Sequence, residues 1–142
     1  MRRSLSILTT STIVCLSALA SHGVVQAQPT GVPALQAQGN AKWVCGGIGS
    51  GQTEAFRGAQ RNHPLSLVFA NPQGEFYASV AFTIKNSSGA AVLSVPSSAG
   101  PICLIDIPAG RYTIEATAPG GKAPQTQTVE VGSAPRTVDF RL

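Results

Sequence analysis

The stretch GGIGSGQT, residues 46–53, sets glycines, a glutamine and a threonine between a short apolar run and a helical window. It fits G-x-x-x-x-G-x-[ST], the outline of a loop that holds phosphates with backbone N–H groups at a helix N-terminus. Gln52, however, stands where a lysine would reach the phosphates. The pattern leaves room for weak contact with a carboxylate or phosphate. It fits better a tight chain reversal made possible by Gly46, Gly47, Gly49 and Gly51.

Hydrolytic chemistry finds few candidates. Serines are plentiful, but His63 is the one histidine after residue 27, and nothing in the sequence sets an acid behind it as a triad requires. The carboxylates Glu54, Glu75, Asp106, Glu115, Glu130 and Asp139 are scattered singly, so no acid–base pair is legible. A metal centre would need more ligands than one histidine supplies. No catalytic residue, metal site or cofactor is expected. His63, beside Pro64 at the end of the helical window, reads as a side chain favoured by the helix dipole.

The elements that would carry these residues are mostly strands. AKWVC (41–45) is a first strand, and SGQTEAFRGAQRN (50–62) is the one helical window, with Ser50 as cap and Pro64 as stop. Its apolar side is thin: Ala55, Phe56 and Ala59. From residue 64 the period becomes two. Leu65, Leu67 and Phe69 share a face in PLSLVFA, and EFYASVAFTIK is expected to turn Phe76, Ala78, Val80, Phe82 and Ile84 inward with Tyr77 outward. AAVLSV, ICLIDI, RYTIEATA, QTQTVEV and RTVDFRL follow, separated by Gly, Pro and Asn clusters. The predicted fold class is all-β: an antiparallel sandwich of seven to eight strands, Ig- or transthyretin-like, with one short N-terminal helix.

ICLI departs from this alternation. Ile102 and Leu104 share one face, Cys103 and Ile105 the other, so both sides need cover. The sandwich core supplies one cover and the lone helix the other, and a Cys45–Cys103 bond is expected to pin the start of that helix outside the sheet. RYTIEATA alternates cleanly, with Tyr112, Ile114, Ala116 and Ala118 inward and Arg111, Thr113, Glu115 and Thr117 facing water.

The N-terminus reads as an export signal. Arg2 and Arg3 precede an uncharged apolar run, Leu5 to Ala20, and Val25-Gln26-Ala27 offers small residues for cleavage before Gln28. Thr9 to Ser11, Ser17 and the break at 21–23 make the run poor for spanning a bilayer. Cys15 follows Val14, which does not suit a lipoprotein signal, and the arginine pair matches the twin-arginine signature only loosely. Without residues 1–27, eight cations face six acids, so the formal charge falls from +4 to +2. That is too weak for a nucleic-acid footprint. Two cysteines remain, Cys45 and Cys103. In an exported chain an even pair is most simply one disulfide, the alternative being two buried thiols. Closing a loop of roughly 60 residues would contribute about 4 kcal/mol. The expected organisation is a signal peptide (1–27), a flexible lead-in (28–40) and one sandwich domain (41–142), with strand and helix cover at 41–63.

LIDIPAGRYTIEATAPGG, then TQTVEV and RTVDFRL, resembles the carboxypeptidase regulatory-like domain, a transthyretin-like sandwich. The motif lies at Ile107-Pro108-Ala109-Gly110-Arg111-Tyr112, and the resemblance covers about 64–142. The whole stretch after residue 27 is similar to small exported bacterial proteins in which GGIG and a helix precede such a sandwich. The resemblance implies a seven-stranded fold without zinc. It does not bring the peptidase activity that gives the domain its name, because that activity needs two histidines and a glutamate. Hydroxyisourate hydrolases of similar fold use several histidines and a C-terminal Tyr-Arg-Gly-Ser, whereas this sequence ends DFRL.

Binding is therefore the expected class. Trp43 and Tyr77 are the aromatics that could stack on a sugar, with core packing near Cys45 as the competing role for Trp43. Arg57 and Arg61 could present a small basic patch, and Glu54 stands at ion-pairing distance from Arg57 on the helix. The reading is a non-catalytic periplasmic or secreted binding or accessory module, monomeric, with an envelope protein or glycan as partner. It has no nucleic-acid partner and no membrane span once the signal is removed. The alternatives are a pilin-like structural subunit and, behind it, a glycan-binding module.

Overall fold

A computed structural model describes Gly23, residues 31–121 and residues 123–142. Apart from Gly23, the expected signal segment lies outside the described residues, and Cys15 with it. Among the described residues nine strands and one α-helix follow in order: β1 Gln36–Gln38, β2 Ala41–Gly46, α1 Ser50–Ala59, β3 Leu65–Ala70, β4 Ala81–Asn86, β5 Ala91–Val95, β6 Ile102–Asp106, β7 Gly110–Thr117, β8 Gln125–Val131 and β9 Arg136–Arg141. They form two sheets, β1-β2-β6-β3-β9 and β5-β4-β7-β8. The fold is an all-β sandwich. It differs from the expected one in three respects: β9 runs parallel to β3, residues 36–38 of the lead-in pair with 41–43 as β1, and the stretch 75–85 pairs regularly only from Ala81. Gly39, with φ 57°, makes the tight return between β1 and β2.

The central strand β6 explains ICLI. It lies between β2 and β3, with Val44 opposite Leu104 and Leu67 opposite Cys103. Cys103 and Ile105 enter the main core with Leu65, Leu67, Phe69, Phe82, Ile84, Ile114 and Phe140. Ile102 and Leu104 enter a second cluster on the outer face with Val44 and Phe56. Phe56 of α1 is fully buried there, so the helix covers the outer side as expected. Val32 and Leu35 pack against the same cluster. Contact is close: a Cβ on Gly46 would lie 2.6 Å from the Phe56 ring, and one on Gly100 would run into the Gly46 carbonyl. Those two glycines are what let the helix entry and the start of β6 meet.

The disulfide joins Cys45 and Cys103, which face each other directly across β2 and β6. Its sulfurs belong to the main core, on the inner face. It therefore staples the two strands beneath the helix. It does not fasten the helix itself, because odd and even positions of β6 point to opposite sides.

The resemblance motif also has a local physical basis. Ile107 is buried, Gly110 opens β7, and the Tyr112 hydroxyl donates to the Pro108 carbonyl at 2.7 Å. The ring fills the core while its oxygen ties down the turn. Outward charges on this sheet pair across strands: Lys85 with Glu115 at 2.9 Å, and Arg111 with Glu130 at 3.0 Å. Such half-exposed pairs contribute little stability.

Glutamines close both open sides of the sandwich. The Gln38 amide of β1 accepts from the Ser94 N–H of β5 at 2.6 Å and donates to the Ser94 carbonyl at 3.4 Å. On the other side, Gln127 of β8 donates to the Asp139 carbonyl of β9 at 2.8 Å, and Gln125 donates to the Arg141 carbonyl. Side-chain amides thus occupy main-chain groups that an edge strand would leave open to another chain.

Two outcomes test this packing. Phe56→Ala removes the ring under which Gly46, Ile102 and Leu104 pack, and should cost about 3–5 kcal/mol in urea unfolding. The amides of α1 should then exchange far faster than those of β4 and β7. Burial pushes the Tyr112 phenol above its ordinary value near 10. The neutral phenol is the form the fold favours, so this stabilisation is full below that ordinary value and is lost as pH rises through the higher, folded one. Tyr112→Phe should cost roughly 1 kcal/mol at pH 8 through the lost hydroxyl and should show a shallower alkaline decline. Urea midpoints measured across the alkaline range check both.

Candidate functional site

The GGIGSGQT loop fills its own donor cradle. Gly47 and Gly49 take φ of 93° and 81°, which turns the chain sharply from β2 into α1. The Gln52 side-chain oxygen accepts from the N–H groups of Gly47 at 3.0 Å and Ile48 at 3.1 Å. Thr53 Oγ1 donates to the carbonyls of Gly47 and Gly49 at 2.7 and 2.8 Å. Gly49, not Ser50, is the N-cap residue, and no side chain caps it in the usual way. Gln52, in the lysine's place, thus occupies the N–H groups that a phosphate would need.

His63 has a partner that sequence reasoning missed. Its Nδ1 lies 2.6 Å from Asp106 Oδ1, across 43 residues of chain. A carboxylate only accepts, so the ring proton sits on Nδ1 and donates to Asp106. The helix-dipole role is corrected accordingly: α1 ends at Ala59, a 3-10 turn spans Gln60–Asn62, and His63 is already extended. Pairing with a carboxylate orients an imidazole as it does in a triad. The buried hydroxyl of Ser66, however, makes no hydrogen bond among the described residues, to His63 or to anything else. Among the described residues no three His, Cys, Asp or Glu side chains gather into a metal-binding set.

The four candidate contact residues separate. Trp43 faces inward on β2 and packs against the main core. Tyr77, expected outward, packs against that core too. Arg61 folds back on its own helix end, its Nε donating to the Gly58 carbonyl at 3.0 Å. Arg57 alone reaches a groove. Its guanidinium carbon sits 5.5 Å above the centre of the Phe76 ring, a cation–π arrangement, and it forms no ion pair with Glu54.

Phe76 is exposed, at 43%, because the expected long strand does not form. Regular pairing starts only at Ala81; before it lies a single bridge, Phe76 to Ala70. Ser79 has φ 60°, the one non-glycine residue in the left-handed region among the described residues. That turn breaks the alternation, so Phe76 and Tyr77 exchange faces while Val80, Phe82 and Ile84 stay inward. The 71–75 turn is held firmly: Asn71 accepts from the Glu75 N–H at 2.8 Å and donates to the Glu75 carboxylate at 2.7 Å.

Together these features frame a groove of about 440 Å³ on the outer face of the five-stranded sheet. Val68, Ala70 and Ile102 form its floor, and Arg57 and Gln60 form one wall. Thr137, Asp139 and Arg141, the outward residues of β9, form the other, and Gly74 and Phe76 close the end. Among the described residues neither arginine, nor Asp139, belongs to an ion pair. An apolar floor with a few converging polar groups is the usual composition of a small-molecule site. Phe76 and the β9 residues carried no sequence signal, since a surface ladder of mixed charge is the ordinary appearance of a solvated strand.

No family model matches this chain, and no curated relative matches it. Among solved structures, the Bacillus anthracis TIE protein aligns at 20% identity with a TM-score of 0.45. The alignment covers 55% of this chain and 16% of that one, so the match spans about a sixth of the other protein.

The role of Gln52 has a direct test. Gln52→Lys vacates the Gly47 and Ile48 N–H groups but should not by itself create nucleotide binding, because the loop loses the acceptor that shapes it. It should instead lower stability by about 1 kcal/mol, chiefly through the part-buried Gly47 N–H left without its acceptor, since that of Ile48 is exposed to water. Thermal unfolding with and without ATP reads both effects.

Proposed function

We propose that this protein is a non-catalytic binding or accessory module of the periplasm or of the secreted fraction, built on a carboxypeptidase regulatory-like sandwich. Its contact surface is the groove between α1 and β9. The observation that carries this reading is the uncommitted wall chemistry of that groove. Arg57 is spread over an exposed Phe76, with Arg141 and Asp139 opposite, above an apolar floor. The Cys45–Cys103 bond in the core is compatible with an oxidising compartment, and the N-terminal signal pattern points the same way. The IPAGRY turn, with its Tyr112–Pro108 bond, supports the family assignment.

A pilin-like subunit fits less well. Subunits that exchange strands need an unfilled edge or groove in the sheet, whereas both open sides here carry glutamine bridges. Among the described residues no helix is long and apolar enough to cross a membrane.

Site-directed photo-cross-linking of the full chain in its native compartment tests the groove. Gln60→p-benzoylphenylalanine should give adducts on irradiation, and Thr128→p-benzoylphenylalanine, on the exposed face of the other sheet, should not. Equal labelling from both positions, or none from Gln60, would sink the reading. A ladder of self-adducts would turn it to the structural subunit.

A further inference from the structure

Taking the groove between α1 and β9 as the binding surface, we infer that its ligand is a sugar acid: a saccharide ring bearing one carboxylate. Each group in the groove demands a complementary one. Arg57 and Arg141 bring two guanidinium forks with no carboxylate partner among the described residues, and a guanidinium matches a carboxylate with two parallel N–H donors. Asp139 can only accept, so the same ligand must also carry O–H or N–H donors. Phe76 and the Val68–Ala70 floor require an apolar face, which the C–H side of a pyranose ring provides. One ligand class carries all three together.

The same groups argue against other anions. The dianionic head of a phosphate monoester only accepts, so it would leave Asp139 without a donor. An extended peptide would look for backbone partners, and the floor offers none. β3 is already paired on both sides, to β6 and β9. The far edge of β9 is bonded by Gln125 and Gln127. A free amino acid satisfies the two arginines and Asp139 but is small for a groove of about 440 Å³ that also offers Thr137 and Gln60.

The guanidinium geometry adds a detail. Arg57 is held over Phe76 and Arg141 lies against Gly74, where a Cβ would stand 3.5 Å from its terminal nitrogen. The Arg57 fork is therefore braced before the ligand arrives, which lowers the entropy lost on binding. The exposed part of Phe76 that Arg57 does not cover is what the sugar would meet.

The test follows the arginine Nε–H resonances of the full, folded chain by NMR during titration with D-glucuronate, D-glucose and L-phenylalanine. D-glucuronate should shift the Arg57 and Arg141 signals and bind at least about tenfold more tightly than glucose, which carries a neutral hydroxymethyl group in place of the carboxylate. Arg57→Gln and Arg141→Gln should each weaken it by roughly tenfold, with the remaining spectrum reporting an intact fold. Phe76→Ala should weaken glucuronate and glucose alike. Equal affinity for the two sugars, tighter binding of phenylalanine, or shifts confined to residues outside the groove would overturn the inference. If Gln60 cross-links in the native compartment but glucuronate leaves the arginines unmoved, the ligand class is wrong and the site is not. If Gln60 does not cross-link, the site itself falls.

Discussion

The middle strand of the larger sheet must bury Ile102 and Leu104 on one side and Cys103 and Ile105 on the other, and much of the remaining architecture follows from that demand. The inner side is met by the second sheet, whose Phe82, Ile84 and Ile114 complete the main core. The outer side is met by Phe56, which settles where α1 lies. Once the helix crosses the outer face it leaves part of β3 and β9 uncovered, and that uncovered part is the groove. The two glycines at the crossing, Gly46 and Gly100, remove the side chains that would hold helix and sheet apart. The disulfide acts from beneath, holding β2 in register with β6 so that Gly46 stays opposite Ile102.

Elements dictated by local periodicity were legible in the sequence. The eight longer strands, the helix window and the doubly apolar strand all come from patterns within a few residues of each other, and the cysteine pair from a simple count. What escaped depends on contacts distant in the chain or on a single dihedral. β1 has three exposed residues, Gln36, Ala37 and Gln38, and no apolar pattern; it is held by its pairing with β2 and by Gln38, which grips Ser94, 56 residues away. His63 and Asp106 meet only because β3 and β6 are neighbours, so neither residue marks the other. Counting cysteines found the disulfide but not its side of the sheet, which requires knowing the phase of β6.

The candidate site was the least legible part, and its constituents show why. Arg57 was visible as a cation on an exposed helix face, although its companion there is an aromatic ring, not Arg61. Trp43 and Tyr77 were plausible as exposed aromatics by residue type, yet both lie partly buried against the core, where their apolar surface is withdrawn from water. The β9 wall is built from Thr137, Asp139 and Arg141, whose alternation with Val138 and Phe140 is what any edge strand would show. Only their position opposite α1 gives them a common target.

The left-handed turn at Ser79 exchanges the environments of two adjacent aromatics without changing the composition of the segment. An aromatic that alternation would assign to the interior becomes an accessible platform, while its neighbour, partly buried, packs against the core instead. A sandwich of this kind can therefore acquire a surface aromatic through one backbone torsion and lose it the same way, with little change in core packing. Relatives that share the strand pattern but differ at this residue would be expected to share the fold and not the recognition surface. Similarity along the strands is then a poor guide to shared ligands, and the conformation of the 75–80 segment a better one.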